Sequence, residues 1–132
     1  MEQHIPAKDH PYFQNLKKKK QSPANALTDA VIKYIKLNGG IAYRINNMGV
    51  WDSKLGKFRT SGTKKGIPDI IGIYKKHFIS IEIKIGSDRQ SEEQKEREAE
   101  IKEAGGEYWI AKDFDKFKIV FDKYMEDRNV VG

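Results

Sequence analysis

Two apolar segments separated by only three polar residues constrain the fold of this chain more than any other feature. The segments are Asp69 to Tyr74 and Phe78 to Ile85, and Lys75-Lys76-His77 lies between them. The second segment alternates strictly, with isoleucine at every odd position and Phe78, Ser80, Glu82 and Lys84 at the even ones. A period of two is typical of a β-strand. The two segments therefore predict an antiparallel hairpin in which Tyr74 faces His77.

That register brings two acidic residues together. Asp69 falls directly opposite Glu82, and Lys84 projects from the same face one alternation further along. Like charges on opposed strand positions repel, so a cation is expected between them. A divalent ion held by Asp69, Glu82, a main-chain carbonyl such as that of Ile83, and water would have a hard-oxygen shell. Lys84 would then orient or help deprotonate the attacking water and stabilise charge on a phosphate, which predicts metal-assisted phosphodiester hydrolysis.

The same residues have a purely structural interpretation. Glu82 and Lys84 could be solvent-facing residues of an edge strand, and Asp69, which follows Pro68, could belong to an ordinary turn.

Amino-acid composition limits which metal ion the catalytic interpretation allows. The chain has no cysteine, so oxygen or imidazole must supply the ligands, and Mg²⁺ or Mn²⁺ is the expected ion.

Chain length and charge limit the number of domains and the kinds of binding partner. A length of 132 residues suits one domain. Residues 1–66 carry 13 basic and 4 acidic side chains, whereas residues 67–132 carry 12 and 15. The basic first half suits a phosphate backbone, although lysine-rich surfaces also simply favour solubility. No apolar run could cross a bilayer, and the N-terminus is polar, so we expect a soluble, cytoplasmic protein without membrane contact.

The remaining pattern predicts a mixed α/β domain over residues 22–132, with a central sheet flanked by helices. Residues 1–21, which include the run Lys17 to Lys20, are expected to form a loosely ordered basic arm. Ser22 and Pro23 begin a helix that stops at Gly39-Gly40. The other predicted elements are strands at 41–46, a hairpin between Trp51 and Phe58, a charged helix from Ser91 to Ala104, a strand at 107–111, and a last helix that buries Phe114, Phe117, Val120, Phe121 and Tyr124.

Several side chains have simple structural assignments. Trp51 and Trp109 are expected to be packed within the protein instead of stacked on bases. In the charged helix, Glu93 with Arg97 and Glu98 with Lys102 have the i,i+4 spacing of ion pairs on a solvated face. His77 falls at the hairpin turn, where a solvated role is expected and no metal is assigned to it.

Three short motifs resemble those of a known family. Gly66-Ile67-Pro68-Asp69, then Glu82-Ile83-Lys84, then Ser91 to Gln94 look like the PD-(D/E)xK nuclease superfamily, and within it the VRR-NUC branch. The resemblance extends over most of residues 22–124. It implies a single nuclease domain in which Asp69 and Glu82 bind metal, Lys84 is the catalytic lysine, and Gln94 is a further active-site residue. Stand-alone members resemble Holliday-junction resolvases, which implies a homodimer that acts on branched DNA.

The chain also departs from that family. Members usually carry an acidic residue near the start of the first helix, where this sequence has Ala24 or Asn25. The site could work with two acids, or Asn25 could supply a neutral oxygen, or Asp29 could substitute one turn later. Gln94 has a second possible role, because Ser91-Glu92-Glu93-Gln94 fits a helix capping box. The two roles of Gln94 can coexist.

Basic residues before the first strand of the hairpin are candidates for DNA contact. These are Arg44, Arg59, Lys64 and Lys65. An ordinary exposed loop would have the same composition.

The leading hypothesis from the sequence is a metal-dependent endodeoxyribonuclease that is selective for branched DNA. The alternatives are a nuclease-like module that only binds DNA, for which the missing helix acid argues, and a structural subunit of a larger assembly.

Overall fold

A four-stranded mixed sheet organises the part of the chain that the structure, a computed structural model, describes: residues 21–45, 50–59 and 64–130. In spatial order, its strands are β1 (Ile41–Arg44), β4 (Ile70–Tyr74), β5 (His77–Ile83) and β6 (Glu107–Ala111). A separate two-stranded sheet pairs β2 (Val50–Asp52) with β3 (Lys57–Arg59). The predicted arm over residues 1–21 lies outside the described residues except for Gln21.

The hairpin of β4 and β5 has the register that the sequence predicts. Tyr74 pairs with His77, and the antiparallel pairing continues to Ile70 opposite Ile81. Lys75 and Lys76 both have positive φ, 44° and 71°, which is the backbone of a type I′ turn. On its other edge β5 pairs in parallel with β6. The hairpin prediction is therefore confirmed at the level of the individual residue pairs.

Three helices accompany the sheet within the described ranges: α1 (Pro23–Leu37), α2 (Glu92–Glu103) and α3 (Phe114–Val130). Ser22 caps α1 through a bond from the Asn25 amide to its hydroxyl, and Pro23 occupies the first helical position, as predicted. The helix that the sequence placed from Ser91 to Ala104 is α2, which connects the parallel strands β5 and β6. No helix in these ranges is long and apolar enough to cross a membrane.

The core lies between one face of the sheet and the pair α1 and α3. Ile79 and Ile81 are completely buried on that face, and Phe121 of α3 is buried against them. Aromatic rings fill the space, with Phe121 stacked on Phe117 at 5.6 Å between ring centroids and Trp109 edge-on to Tyr124 at 5.0 Å. Packing of Trp109, predicted from the sequence, is confirmed. The opposite face of β5 carries Glu82, which accepts a hydrogen bond from Gln94 of α2.

Three expectations from the sequence are wrong, and the edge-strand alternative for β5 also fails. Val120 is exposed, because the buried stripe of α3 runs through Phe117, Phe121 and Tyr124 and leaves Val120 to one side. Trp51 belongs to the small separate sheet and is 56% exposed, so it lies outside the core.

The third wrong expectation concerns the charged helix. Arg97 is buried and pairs with Glu96 and Glu100 instead of Glu93, although Glu98 and Lys102 do pair, at 2.8 Å. The edge-strand interpretation of β5 also fails. This strand lies between β4 and β6, and only 2% of Glu82 and 7% of Lys84 are exposed.

Candidate active site

A cavity of about 270 Å³ opens where β4 begins and β5 ends. Because the two strands are antiparallel, Asp69 just before β4 and Lys84 just after β5 lie at the same end of the sheet. The cavity is lined by all five residues that the sequence and the family resemblance nominate for the site, which are Asp69, Glu82, Ile83, Lys84 and Gln94. The start of one strand, the end of the next and the beginning of the charged helix thus converge on one polar pocket.

Asp69 is fixed through both its main chain and its side chain. Its carbonyl accepts a hydrogen bond of 2.8 Å from the Ile45 amide, which extends the pairing of β1 with β4. Its Oδ2 accepts a hydrogen bond of 2.9 Å from the Ile83 amide. The N–H and C=O of one strand residue point to the same side, so the Ile83 carbonyl is directed to the Asp69 side as well. Ile83 itself lines the cavity.

The segment that leads to Asp69 is held against α2. The buried Arg97 guanidinium donates to the Lys65 carbonyl at 3.2 Å. Gly66 has φ +86°, and a Cβ at this position would lie 2.3 Å from the Glu93 carbonyl oxygen. Only glycine fits both the backbone conformation and the close approach. The Gly-x-Pro-Asp motif therefore begins with a glycine that lets the chain pass over the start of α2.

Glu82 is an acid in an unfavourable position for its charge. Its Oε1 accepts a hydrogen bond of 3.2 Å from Gln94 Nε2, while its buried Oε2 has no hydrogen-bond partner in the described part of the chain. Burial, and next the neighbouring Asp69 carboxyl, raise the pKa of Glu82 to about 9. Without a cation, Glu82 therefore carries a proton at neutral pH.

Lys84 supplies a buried positive charge beside the acids. Its ammonium lies 4.0 Å from Glu82 Oε1 and 3.8 Å from Asp88 Oδ2. The Lys84 amide donates to the Ala111 carbonyl at 3.0 Å, so the backbone remains tied to β6 just beyond the end of β5. Glu82 and Lys84 lie on one face of the chain, as the alternation predicts.

Gln94 forms the predicted capping box and also contacts Glu82. Its Oε1 accepts the Ser91 amide at 2.9 Å, and its own amide donates to the Ser91 hydroxyl at 3.1 Å, which completes a capping box. The free Nε2 end of the same side chain donates to Glu82. The cap of α2 thereby fixes a contact within the cavity.

The position of the missing helix acid is filled by small side chains. Ala24 and Thr28 of α1 line the cavity, and the first turn of α1 contains no acid. Asn25 does not line the cavity, and its Oδ1 accepts a hydrogen bond of 2.6 Å from Arg44. Asp29 is exposed and receives a hydrogen bond from Gln21. Neither proposed substitute for the acid lines the cavity.

Sequence reasoning missed one acidic residue of the pocket. Asp88 lines the cavity beside Lys84, although it lies in the loop between β5 and α2. A loop residue has no periodic signal. Its position depends on the turn at Gly86, which has φ +61°, and on the hydrogen bond from its amide to the Ile85 carbonyl.

The basic residues nominated for DNA contact are distributed unevenly. Arg44 lines the cavity, and Lys64 and Lys65 are exposed on the segment that leads to Asp69. The side chain of Arg59, at the end of β3, and residues 60–63 lie outside the described part of the chain. His77 is at the hairpin turn, away from the cavity residues.

The capacity of the site for a metal ion rests on few side chains. Across residues 21–45, 50–59 and 64–130, no group of three or more His, Cys, Asp or Glu side chains is arranged to hold an ion. A cation here would be held by the Asp69 and Glu82 carboxylates and the Ile83 carbonyl, with water completing the shell. The unpartnered Oε2 of the buried Glu82 fits this role, because it is an acceptor that nothing in the described protein satisfies.

Comparisons with known proteins give no further guidance: no protein-family model, curated protein or solved structure matches this chain.

Proposed function

We propose that this chain is an Mg²⁺- or Mn²⁺-dependent endodeoxyribonuclease with a PD-(D/E)xK fold of the VRR-NUC type. The observation that carries the proposal is the environment of Glu82. A carboxyl group that is 2% exposed, with one oxygen unpartnered and Asp69 beside it, is costly unless a cation compensates the two charges. The hairpin register and the adjacent Lys84 support the same interpretation.

The residues have distinct roles in this function. Asp69 and Glu82 hold the cation, which supplies Lewis-acid activation of water and of a phosphoryl oxygen. Asp69 keeps one oxygen on the Ile83 amide, so its Oδ1 is the free ligand. Gln94 orients the Glu82 carboxylate through Oε1 and leaves Oε2 for the ion.

Lys84 acts on the reacting phosphate. Its ammonium group is held close to Glu82 and Asp88, and its burial keeps it poorly screened by water. In this position it stabilises the negative charge that develops on the phosphate oxygens and orients the attacking water. Asp88 keeps the ammonium at the cavity by pairing with it.

The preference for branched DNA and the homodimer rest on the family resemblance. Arg44 at the cavity, with Lys64 and Lys65 on the adjacent segment, provides cations for phosphate contacts on the side of β1 and β4. Such contacts fix a duplex without reading its sequence. Selectivity among DNA structures would then depend on how strands approach the cavity.

The test is cleavage of labelled junction, flap, single-stranded and linear DNA with Mg²⁺ or Mn²⁺ and with a chelator. Wild-type protein should cut at least one of these substrates only when the metal is present. Asp69→Ala and Lys84→Ala should abolish cutting while circular dichroism remains that of the folded protein, and Lys123→Ala, on the exposed surface of α3, should cut normally. Cutting by Asp69→Ala at the wild-type rate would show that the assigned site is wrong.

A second candidate is a nuclease-like module that binds DNA with little or no catalysis. The feature that favours it is the first turn of α1, where Ala24 lines the cavity and no acid is present. Calorimetric titration with Mn²⁺ distinguishes the two functions. A nuclease takes up Mn²⁺ in wild type and loses that uptake in Asp69→Ala, whereas a binding module shows salt-sensitive DNA affinity without Mn²⁺ uptake.

A further inference from the structure

A second cavity adjoins the site cavity and is strongly basic. It has a volume of about 250 Å³, and Lys84 and Asp88 line both cavities. Four of its seven lining residues are cationic, namely Lys84, Arg89, Lys95 and Lys112, whereas Asp88 is the single acid among the seven. The charge at this place contrasts with the acidic surface of the neighbouring helix α2.

Two of these cations are uncompensated. The side chains of Arg89 and Lys112 make no hydrogen bond or ion pair within residues 21–45, 50–59 and 64–130. Lys95 contacts the exposed Glu92 at 3.3 Å, which contributes little because both groups are solvated. Unpaired cations that converge on one concave surface repel one another and attract a polyanion.

The cations are carried by fixed elements. Gln90, next to Arg89, donates from Nε2 to Glu98 of α2 and to the Tyr108 hydroxyl of β6, each at 3.1 Å. Lys112 directly follows β6, and Lys95 belongs to α2. The backbone around this cavity is thus held by contacts on two sides, so binding an anion there does not require a loop to be ordered.

From this geometry we infer that the basic cavity binds the backbone phosphates that adjoin the phosphate at Asp69 and Glu82. The inference rests on the proposed function, because it names the path of the same nucleic-acid strand. The only apolar lining residue is Ile110, and no aromatic ring lines the cavity on which a base could stack. Contacts there are therefore with phosphates and independent of sequence. Lys84 lies at the junction of the two cavities and faces both parts of the strand.

The experiment compares two double variants that remove the same net charge. Arg89→Ala with Lys112→Ala removes the uncompensated cations of the cavity, and Lys33→Ala with Lys123→Ala removes two exposed lysines on α1 and α3. Affinity for a fluorescein-labelled single-stranded oligonucleotide is measured by anisotropy over a salt series in chelator. The cavity variant should bind roughly tenfold more weakly, and its salt slope should fall by about 1.4, since each lost phosphate contact removes about 0.7. In the control variant, the loss of affinity and the fall in salt slope should each be less than about a third of those in the cavity variant.

The outcomes separate this inference from the proposed function. If the cavity variant matches the control while wild type still cuts DNA with metal, the basic cavity is not the strand path and the nuclease assignment stands. If the cavity variant loses affinity but no protein cuts, the strand path stands and the enzymatic assignment fails. A wild-type protein that neither binds the oligonucleotide nor cuts any of the junction, flap, single-stranded and linear substrates overturns both. Equal losses in scrambled and homopolymer sequences support the phosphate contacts, and a loss confined to one sequence contradicts them.

Discussion

Gln94 Nε2 donates to Glu82 Oε1 at 3.2 Å, so the residue that caps α2 also holds the central acid of the candidate site. The amide side chain is bound at both ends, with its oxygen on the Ser91 amide and its nitrogen on the carboxyl group. A helix terminus and a strand residue are thereby fixed relative to each other by one side chain. This contact lets the stability of α2 and the orientation of Glu82 be separated by mutation.

Ser91→Ala and Gln94→Ala form a matched pair for that purpose. Ser91→Ala removes the hydroxyl cap and leaves Gln94 on Glu82, so it should lower the free energy of unfolding by about 1 kcal/mol with cleavage retained. Gln94→Ala should cost a similar free energy and also lower kcat, because the Glu82 carboxylate loses its orienting donor. Urea denaturation and cleavage assays measure the two effects. Equal activity in the two variants would contradict an active-site role for Gln94.

Stability should depend on pH through Glu82. Its pKa is raised to about 9 in the folded protein by burial and by Asp69, compared with an ordinary value of 4.5. Between these values the folded state holds a proton that the unfolded state has released, so the free energy of unfolding falls as pH rises. The contribution is fully present below pH 4.5 and is lost toward pH 9, with a slope of at most ~1.4 kcal/mol per pH unit.

Urea denaturation in chelator at several pH values measures this slope. Glu82→Gln keeps the shape of the side chain and cannot ionise, so its stability should vary less with pH than that of wild type over the same interval. Saturating Mn²⁺ should also weaken the dependence in wild type, because a bound cation stabilises the ionised carboxylate. A wild-type curve as flat as that of Glu82→Gln would show that Glu82 is ionised in the metal-free protein.

The hairpin could be predicted to the residue because two independent signals agree. Strict alternation from Phe78 to Ile85 fixes which side chains share a face, and the short connection at Lys75-Lys76 allows one register. A slip of one position would turn Glu82 toward the core face of the sheet and the isoleucines of β5 away from it. The acid pair of the site follows from that register alone, without knowledge of the rest of the fold.

Other parts of the site depend on features that sequence periodicity does not carry. Asp88 enters the cavity through a loop conformation, and Ala24 and Thr28 enter it through the rotation of α1. The burial of Arg97 was missed because α2 consists almost entirely of charged and polar residues, in which one buried side chain leaves no apolar stripe. Its partner, the Lys65 carbonyl, belongs to a segment 32 positions earlier in the chain.

Helix α3 provides a test of the core, where the apolar pattern alone was misleading. Phe121 is fully buried among aromatic rings, and Val120 is 46% exposed. Phe121→Ala should therefore lower the free energy of unfolding by about 3–5 kcal/mol through lost contacts and a cavity. Val120→Ala should change it by less than ~0.5 kcal/mol. Thermal or urea denaturation measures both, and comparable losses in the two variants would mean that α3 is rotated relative to the packing described.

Gly66 and Gly56 allow backbone strain to be separated from steric contact at the site. Both have positive φ, +86° and +64°, but a Cβ at Gly56 would meet nothing within 4 Å, whereas at Gly66 it would lie 2.3 Å from the Glu93 carbonyl oxygen. Gly56→Ala should cost only the left-handed backbone, about 1–2 kcal/mol, and should leave cleavage unchanged. Gly66→Ala adds a clash with the backbone of α2, so it should cost at least ~2 kcal/mol and displace the segment that carries Asp69.

Cleavage by Gly66→Ala should fall at least tenfold under conditions in which circular dichroism shows the variant folded, because Asp69 and Glu82 would no longer be held together. Wild-type cleavage by a folded Gly66→Ala protein would show that the approach of this loop to α2 does not position the site.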